Sequence, residues 1–293
     1  MEVVHDYVFG GALRKGGDWA GPECAAAVPK IMHLYEGCAW AFIAALLYFA
    51  LNVRGVIGSF AMGVKSMDSG RGTGGSSLTS VLLFERVLSV VHFAMFAQLV
   101  YWKFNDKAMI MLAQPCHIIL FLEGIALLSP NSSTLGTTIS VLVLPALTGT
   151  LLAMVVPGTS GLSKLEVTCY WLQHIIIQIV PFYLLVRRDF QALRLCSIRT
   201  VLVGIWILQV AHWTFYAGVD FMFSVNVEFM LCPTFGMRDT FNAFPAYLFF
   251  PSYRTTLTWV VALLAIAVSY SYIFPARILA AVLKPAARVK KVM

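Results

Sequence analysis

The stretch Met111-Leu112-Ala113-Gln114-Pro115-Cys116-His117 places polar groups and a proline inside an apolar run that extends from Ala108 to Leu128. An apolar run of about 20 residues is long enough to cross the hydrocarbon core of a membrane as a helix. Polar and ionisable groups at that depth are costly, so they mark candidate functional sites. Because Pro115 removes a backbone donor, we expect a helix to restart there with Cys116 in its first turn.

The first turn of a helix is an environment that favours a cysteine thiolate. Backbone N–H groups and the positive end of the helix dipole both stabilise negative charge at that position. The simpler interpretation of Cys116 is an inert thiol beside a proline kink, which is the more common role of a membrane cysteine. Further observations are needed to distinguish the two.

The composition of the chain predicts an all-α, polytopic membrane protein. The 293 residues are 59% hydrophobic and 12% charged, and apolar runs of similar length recur along the sequence. We predict a bundle of about seven transmembrane helices around a polar intramembrane cavity. The predicted spans are Ile31–Val53, Val81–Trp102, Ala108–Leu128, Leu135–Val156, Val167–Val186, Thr200–Val219 and Leu257–Phe274.

The segments outside these spans define the predicted organisation. Residues 1–30 form a polar N-terminal segment without the apolar stretch of a secretory signal, and residues 31–281 form the bundle. Within the bundle, we predict a flexible loop rich in glycine and serine at residues 54–80. We predict a second loop, at residues 220–256, that caps the lumenal end of the bundle. Residues 282–293 form a basic tail.

The charge pattern predicts orientation and compartment. The net charge of +7 lies mostly in loops and at the C-terminus, which indicates membrane topology and anionic lipid rather than nucleic acid as a partner. Because basic residues cluster after the fifth and seventh spans, we expect the C-terminus in the cytosol and the N-terminus in the lumen. The ending Lys290-Lys291-Val292-Met293 then has the form of a dilysine signal for the endoplasmic reticulum.

This topology places three chemically active side chains in one layer of the bundle. Cys116 and His174 each lie roughly 10–12 Å below the lumenal surface, and His212 lies roughly 10 Å below it. His92 is deeper, at roughly 15 Å. The three helices that carry Cys116, His174 and His212 are separate in sequence, so their common depth favours a shared cavity.

A cysteine and a histidine at one depth suit nucleophilic acyl chemistry. A thiolate attacks an acyl carbonyl, while a histidine removes the thiol proton and later the proton of an incoming hydroxyl. His117 follows Cys116 directly and points about 100° away on a helix, so His174 is the better base. The six cysteines show no metal-ligand spacing, and the sequence leaves open whether Cys24 and Cys232 pair. We expect no cofactor and no metal.

Several ordered motifs resemble the transmembrane protein 164 family over almost the whole chain. The similarity is weakest in the loops at 54–80 and 234–256. The motifs are Asp6-Tyr7-Val8-Phe9-Gly10-Gly11, Gly21-Pro22-Glu23-Cys24-Ala25-Ala26, Gln114-Pro115-Cys116-His117, Leu165-Glu166, Trp171-Leu172-Gln173-His174, Pro181-Phe182-Tyr183-Leu184-Leu185, Val225-Asn226 and Met230-Leu231-Cys232-Pro233.

The resemblance implies a cysteine-centred acyltransferase of the endoplasmic reticulum, with a broader relation to small multi-span lipid hydrolases. Such an enzyme moves a polyunsaturated acyl chain from phosphatidylcholine to a lyso-ether phospholipid. The family's nucleophile corresponds to Cys116, the histidine of its Gln-His motif to His174, and His212 also has a counterpart. We expect His212, Asn226 or Glu166 to orient His174 or to stabilise the oxyanion.

Three alternatives remain open from the sequence. One is an intramembrane lipid hydrolase that uses the same Cys116–His174 pair with water as acceptor. Another is a metal-dependent hydrolase that uses His92, His174 and His212, although these residues lack a close-spaced ligand motif. The non-enzymatic alternative is a seven-helix receptor. It is disfavoured because the seventh predicted span has no lysine that could form a Schiff base with a ligand.

Overall fold

A computed structural model describes most of the chain, and the secondary-structure elements in the described part are all helices. Ala20 and Val225 form an isolated antiparallel bridge. The described residues are 2–15, 20, 24, 30–59, 83–130, 133–159, 161–187, 191–227, 230 and 253–289.

Among the described residues, a helical N-terminal segment precedes ten labelled helices and a helical stretch at residues 53–59. The N-terminal segment consists of Glu2–His5, a π-helical turn at Asp6–Gly10 and Gly11–Lys15. A 3-10 segment, Met109–Ala113, precedes the third of the labelled helices, and a π-helical segment, Ala211–Tyr216, joins the eighth to the ninth. The helices are α1 (Lys30–Ala50), α2 (Leu83–Asn105), α3 (Pro115–Leu128), α4 (Thr134–Leu142), α5 (Leu147–Val155), α6 (Lys164–Arg187), α7 (Gln191–Leu195), α8 (Ile198–Val210), α9 (Ala217–Phe223) and α10 (Tyr253–Val289).

In the part of the chain that the structure describes, five helical stretches are long and apolar enough to cross a membrane. They are α1, α2, most of α6, the run Ile198–Phe223 and the larger part of α10. Helices α4 and α5 meet at an angle of 42° and make a sixth if the bent pair is one span. The protein is therefore a multi-pass membrane protein, with five to six candidate spans among the described residues.

The predicted count of seven spans is not confirmed, and the difference lies at the predicted third span. Helix α3 has 14 residues, so it measures about 21 Å against a hydrocarbon core of about 30 Å. The preceding Met109–Ala113 segment does not continue the helix, because Gln114 takes an extended conformation (φ −56°, ψ 137°) in front of Pro115.

Helix α3 occupies the centre of the bundle and packs against α2, α4, α5 and α6. Its side chains at Leu120, Ala126 and Leu127 are almost fully buried. The Ser89 hydroxyl on α2 donates to the Gly124 carbonyl at 2.9 Å, so the two backbones approach closely. By contrast, α1, α2 and α10 expose many large apolar side chains, as expected for surfaces that face lipid.

A second apolar cluster lies at the end of the bundle where α3 begins. Phe9 and Ala12 of the N-terminal segment pack there with Met111, Trp213 and other buried side chains. The Gly11 N–H donates to the Lys107 carbonyl at 2.7 Å. A Cβ at Gly11 would lie 1.9 Å from the Asp106 carbonyl oxygen, so this contact requires glycine. The N-terminal segment thus folds back onto the bundle next to the candidate site.

Several predicted boundaries differ from the observed ones or fall outside the described residues. The chain is helical at residues 53–59 within the predicted loop 54–80, and α10 continues past Phe274 to Val289. Cys24 is disulfide-bonded. Its predicted partner candidate, Cys232, lies outside the described residues, as do residues 60–82 and 231–252, which hold most of the two predicted loops.

Candidate active site

Cys116 occupies the second position of α3, directly after Pro115 at the first position. Proline is well suited to this position, since its fixed φ matches the helix and its missing N–H would be unpaired there. The Cys116 side chain is partly buried, and its thiol is free of any disulfide. The sequence-based prediction that the helix restarts at Pro115 with Cys116 in the first turn is confirmed.

Three hydrogen bonds fix the turn that carries Cys116. The Nδ1 atom of His117 pairs with the Met111 carbonyl at 2.8 Å. The Gln114 amide donates to the Val227 carbonyl at 3.3 Å, and the Tyr216 hydroxyl donates to the Ala113 carbonyl at 2.6 Å. The turn is therefore tied both to the preceding 3-10 segment and to the chain between 216 and 227.

His174 lies in the middle of α6 and is 1% exposed. Its Nδ1 atom is 2.7 Å from the Tyr170 carbonyl oxygen, and its ring lies 4.1 Å from the Tyr170 ring. Because a carbonyl only accepts, Nδ1 must carry the proton, which leaves the lone pair of a neutral imidazole on Nε2. That Nε2 atom is buried and has no hydrogen-bond partner in the described structure.

Helices α3 and α6 pack together and bring the two predicted catalytic residues into one region. Tyr170 is near enough to Cys116 for the two groups to interact electrostatically, and His117 and His174 are related in the same way. Since Nε2 of His174 is unpaired, no hydrogen bond joins it to the thiol. Catalytic hydrogen bonds are often long or absent before substrate binds, so this geometry is compatible with a nucleophile–base pair.

The other three predicted site residues lie at different places around this region. His212 is in the π-helical segment, with Nδ1 at 2.8 Å from the Leu208 carbonyl and its ring 5.2 Å from that of Tyr216. Asn226 is fully buried and precedes Val227, whose carbonyl binds Gln114. The structure therefore brings Asn226 close to the turn that carries Cys116. His212 lies one helical turn before Tyr216, whose hydroxyl binds that turn.

Glu166 lies at the N-terminus of α6 and takes part in a capping box. Its carboxylate accepts the Ser163 N–H at 2.8 Å, and the Ser163 hydroxyl accepts the Glu166 N–H at 3.3 Å. It is two turns before His174, or about 12 Å along the helix axis. A role for Glu166 in orienting His174 stays a prediction.

The sequence analysis did not identify Tyr170 as a site residue. Its hydroxyl donates to the Ala153 carbonyl on α5 at 2.5 Å, and its ring packs against that of His174 at an interplanar angle of 36°. The signal was present in the sequence, because residues four apart share a helix face and Tyr170 is four before His174. Tyr170 holds the position of the imidazole relative to α5.

A comparison with protein families identifies the chain. The model of the TMEM164 family matches residues 31–272, which is more than half of the sequence. The chain belongs to the TMEM164 family. This is the family that the sequence motifs resemble, and no solved structure matches the chain.

The match to the TMEM164 family includes all the candidate site residues, Cys116, His174, His212, Asn226 and Glu166. It begins after the N-terminal motifs at 6–11 and 21–26, which lie outside the matched range. Within the described residues, the matched region brings together no group of three or more His, Cys, Asp or Glu side chains that could hold a metal. The proposed set of His92, His174 and His212 is therefore not assembled.

His92 has a different environment from the candidate site of this TMEM164 family member. Its Nε2 atom lies 3.4 Å from a Glu123 carboxylate oxygen, and both side chains are 0% exposed. Neither carboxylate oxygen has a hydrogen-bond partner in the described part of the chain. A polar cavity shared by His92 and the candidate catalytic pair, as expected from the sequence, is not confirmed.

Proposed function

We propose that this protein is a membrane-embedded phospholipid acyltransferase that works through a thioester on Cys116. The observation that carries the proposal is the buried, unpaired Nε2 atom of His174, held in its accepting tautomer on a helix that packs against the one that carries Cys116. An unpaired acceptor in a buried site is unfavourable. The missing donor is supplied in this proposal by the Cys116 thiol when substrate enters.

In the first half-reaction the acyl group moves from donor lipid to enzyme. His174 Nε2 takes the proton of the Cys116 thiol, and the thiolate attacks the ester carbonyl of phosphatidylcholine. The tetrahedral intermediate collapses as the bond to the glycerol oxygen breaks. The imidazolium returns its proton to that oxygen, so a lysophospholipid leaves and the acyl group stays on Cys116 as a thioester.

In the second half-reaction the same histidine activates the acceptor. His174 Nε2 removes the proton from the free hydroxyl of a lyso-ether phospholipid, whose oxygen attacks the thioester carbonyl. The carbon–sulfur bond breaks, and the thiolate recovers the proton from the imidazolium. Asn226 and His212 are the candidates to stabilise the oxyanion or orient His174, since Asn226 is buried beside the Gln114 contact.

The test is acyl transfer from labelled phosphatidylcholine to lyso-ether and lyso-diacyl acceptors in detergent micelles. Cys116→Ala should abolish transfer, and His174→Ala should lower it by about 10²- to 10⁴-fold, the usual contribution of a general base. The matched control is Cys38→Ala, which removes an exposed free thiol on α1 and should leave transfer unchanged.

The same assay separates the alternatives. A hydroxylamine-labile acyl group on the wild-type protein, absent from Cys116→Ala, supports the thioester. Full transfer by Cys116→Ala overturns the mechanism. Release of free fatty acid without any acceptor, in a reaction that needs Cys116, would indicate a hydrolase, in which water replaces the lysolipid in the second half-reaction.

The proposed location is the endoplasmic reticulum membrane, with the C-terminus in the cytosol. Its support is the dilysine ending Lys290-Lys291-Val292-Met293 and the basic residues near the last span. Replacing both lysines with serine should move the full-length protein forward along the secretory route, as followed by fluorescence microscopy. A doubly substituted protein that stays in the endoplasmic reticulum would count against the signal.

A further inference from the structure

A cavity of about 230 Å³ lies between α2 and α6. Helix α2 contributes Ala94, Met95 and Leu99 to its wall, and α6 contributes Cys169 and Gln173. Most of this lining is apolar. The cavity is partly open, and Ala94 is among the exposed residues on its rim. Ala94 is exposed on α2, a candidate membrane span, so the opening lies at a helix surface that can contact lipid.

The cavity lies at the same level of α6 as the candidate active site. Residues 169 and 173 line the cavity, whereas 170 and 174 belong to the candidate active site. The same turn of α6 therefore contributes residues to the cavity and to the candidate active site. Helix α3, which carries Cys116, packs against both α2 and α6. A group that enters the bundle between α2 and α6 therefore arrives beside the turn of Cys116.

Gln173 provides a second, independent observation. It is 2% exposed, and its amide nitrogen is buried without a hydrogen-bond partner in the described structure. A buried donor without a partner is unfavourable. The terminal torsion of glutamine is soft, so a small rotation turns this N–H toward the cavity that the residue lines. The cavity thus combines a mostly apolar wall with the buried Gln173 amide, and a second amide, that of the exposed Gln98, also lines it.

We propose that this cavity binds an acyl chain of the donor phospholipid, which enters sideways from the bilayer, and that the Gln173 amide donates to its ester carbonyl. The proposal rests on the function proposed above. The cavity is smaller than the ~300–1,000 Å³ pockets that enclose whole small molecules. It therefore takes a segment of one chain while the rest of the lipid stays in the membrane.

The first experiment maps contact between lipid and cavity without turnover. Protein with Cys116→Ala is reconstituted in vesicles containing phosphatidylcholine with a diazirine in its acyl chain, and adducts are located by mass spectrometry after illumination. We expect adducts at the wall formed by Met95, Leu99 and Cys169, measured relative to adducts at lipid-facing Leu263.

The chain offers a matched pair of substitutions on α2. Ala94 lines the cavity, whereas Ala97, also exposed, is not part of its lining. Ala94→Phe should reduce adducts at the wall by about fivefold or more, the effect of roughly 1 kcal/mol of overpacking, and Ala97→Phe should not. Equal adduct yields in the two variants would overturn the cavity as the acyl-chain site.

The role of Gln173 is tested by competition with unlabelled lipids. Diester phosphatidylcholine should compete about 3- to 10-fold better than its diether analogue, because only the ester offers a carbonyl to the amide. Gln173→Leu should remove this difference and leave the wall adducts in place. Equal competition by the two lipids in the protein with Gln173 intact would overturn the hydrogen bond.

Acyl transfer by protein with Cys116 intact distinguishes the two proposals. If the wall adducts depend on Ala94 but no transfer occurs, the cavity binds lipid and the proposed acyltransferase activity fails. If transfer occurs and Ala94→Phe matches Ala97→Phe in both transfer and adducts, the activity stands and the cavity is not the acyl-chain site.

Discussion

At the scale of single residues, three histidines in the bundle make the same side-chain-to-backbone hydrogen bond through Nδ1 and differ in the surroundings of Nε2. His92, His174 and His212 each place Nδ1 against the carbonyl four residues earlier, which sets the same tautomer in all three. Neither Nε2 of His92 nor Nε2 of His174 has a hydrogen-bond partner in the described structure, but Nε2 of His92 lies 3.4 Å from a Glu123 carboxylate oxygen. A buried carboxyl group near Nε2 therefore distinguishes the environment of His92 from that of the candidate base His174.

The His92–Glu123 pair yields a stability prediction. His92→Ala leaves the Glu123 carboxyl in the bundle without its neighbour and opens a cavity, so it should lower the free energy of unfolding by about 3 kcal/mol. Glu123→Gln keeps the volume and removes a group whose oxygens have no hydrogen bonds in the described residues, so its effect should be small. Thermal unfolding in detergent measures both. An equal loss in the two variants would contradict the pairing.

The predictability of the site also differs residue by residue. The common depth expected for Cys116 and His174 was counted from helix rise and from a third span beginning at Ala108. The helix begins at Pro115 instead, so the common depth stays a prediction. The sequence also contains the Ser163-x-x-Glu166 pattern, which indicates a capping box for Glu166. The contact of Gln114 with Val227 was beyond such reasoning, because it depends on how a chain segment after α9 folds back.

At the scale of elements, hydropathy predicted the long helices and missed the broken one. The first, second, fifth, sixth and seventh predicted spans correspond to helical stretches, since an apolar run of that length has few other ways to satisfy its backbone. The predicted fourth span is instead a pair bent by 42° between Leu142 and Leu147. Mean hydropathy is insensitive to this break, but Pro145, which lies inside it, is a local signal for it.

The docking of the N-terminal segment gives a prediction at this scale. Gly11→Ala places a methyl group against the Asp106 carbonyl, so the segment must move away and Phe9 loses its packing. We expect a loss of about 1–3 kcal/mol in unfolding free energy and faster proteolysis after Arg14 and Lys15.

The control for this prediction is Gly218→Ala in α9, where an added Cβ meets nothing within 4 Å. That substitution should be neutral or slightly stabilising, because it lowers the entropy of the unfolded chain without a clash. Proteolysis of Gly11→Ala at the wild-type rate would show that the N-terminal segment does not depend on this close approach.

At the scale of the whole molecule, a buried ion pair joins the first and last membrane helices. Arg254 at the start of α10 pairs with Glu36 of α1, and both side chains are nearly fully buried. Thr255 donates to the other Glu36 oxygen at 3.0 Å, and Arg254 also donates to the Met230 carbonyl at 3.1 Å. The Arg254 guanidinium lies 5.4 Å from the Trp213 ring.

Breaking this pair from one side should be costly. Arg254→Ala leaves Glu36 buried without its cation and should lower the free energy of unfolding by about 3–5 kcal/mol. The double variant Glu36→Gln/Arg254→Met removes both charges and should recover much of that loss. Thermal unfolding in detergent compares the two, and a double variant that is no more stable than Arg254→Ala would contradict the pairing as the cause.

The Arg254–Glu36 pair also has a consequence for biogenesis. Helix α1 leaves the ribosome before α10, and of its own residues only Glu36 and Trp40 are buried in the bundle. Glu36 therefore enters the bilayer long before its arginine is translated, because more than two hundred residues separate them. During synthesis the Glu36 carboxyl therefore lies in the bilayer before its cation is present, and α1 gains this partner only when α10 inserts.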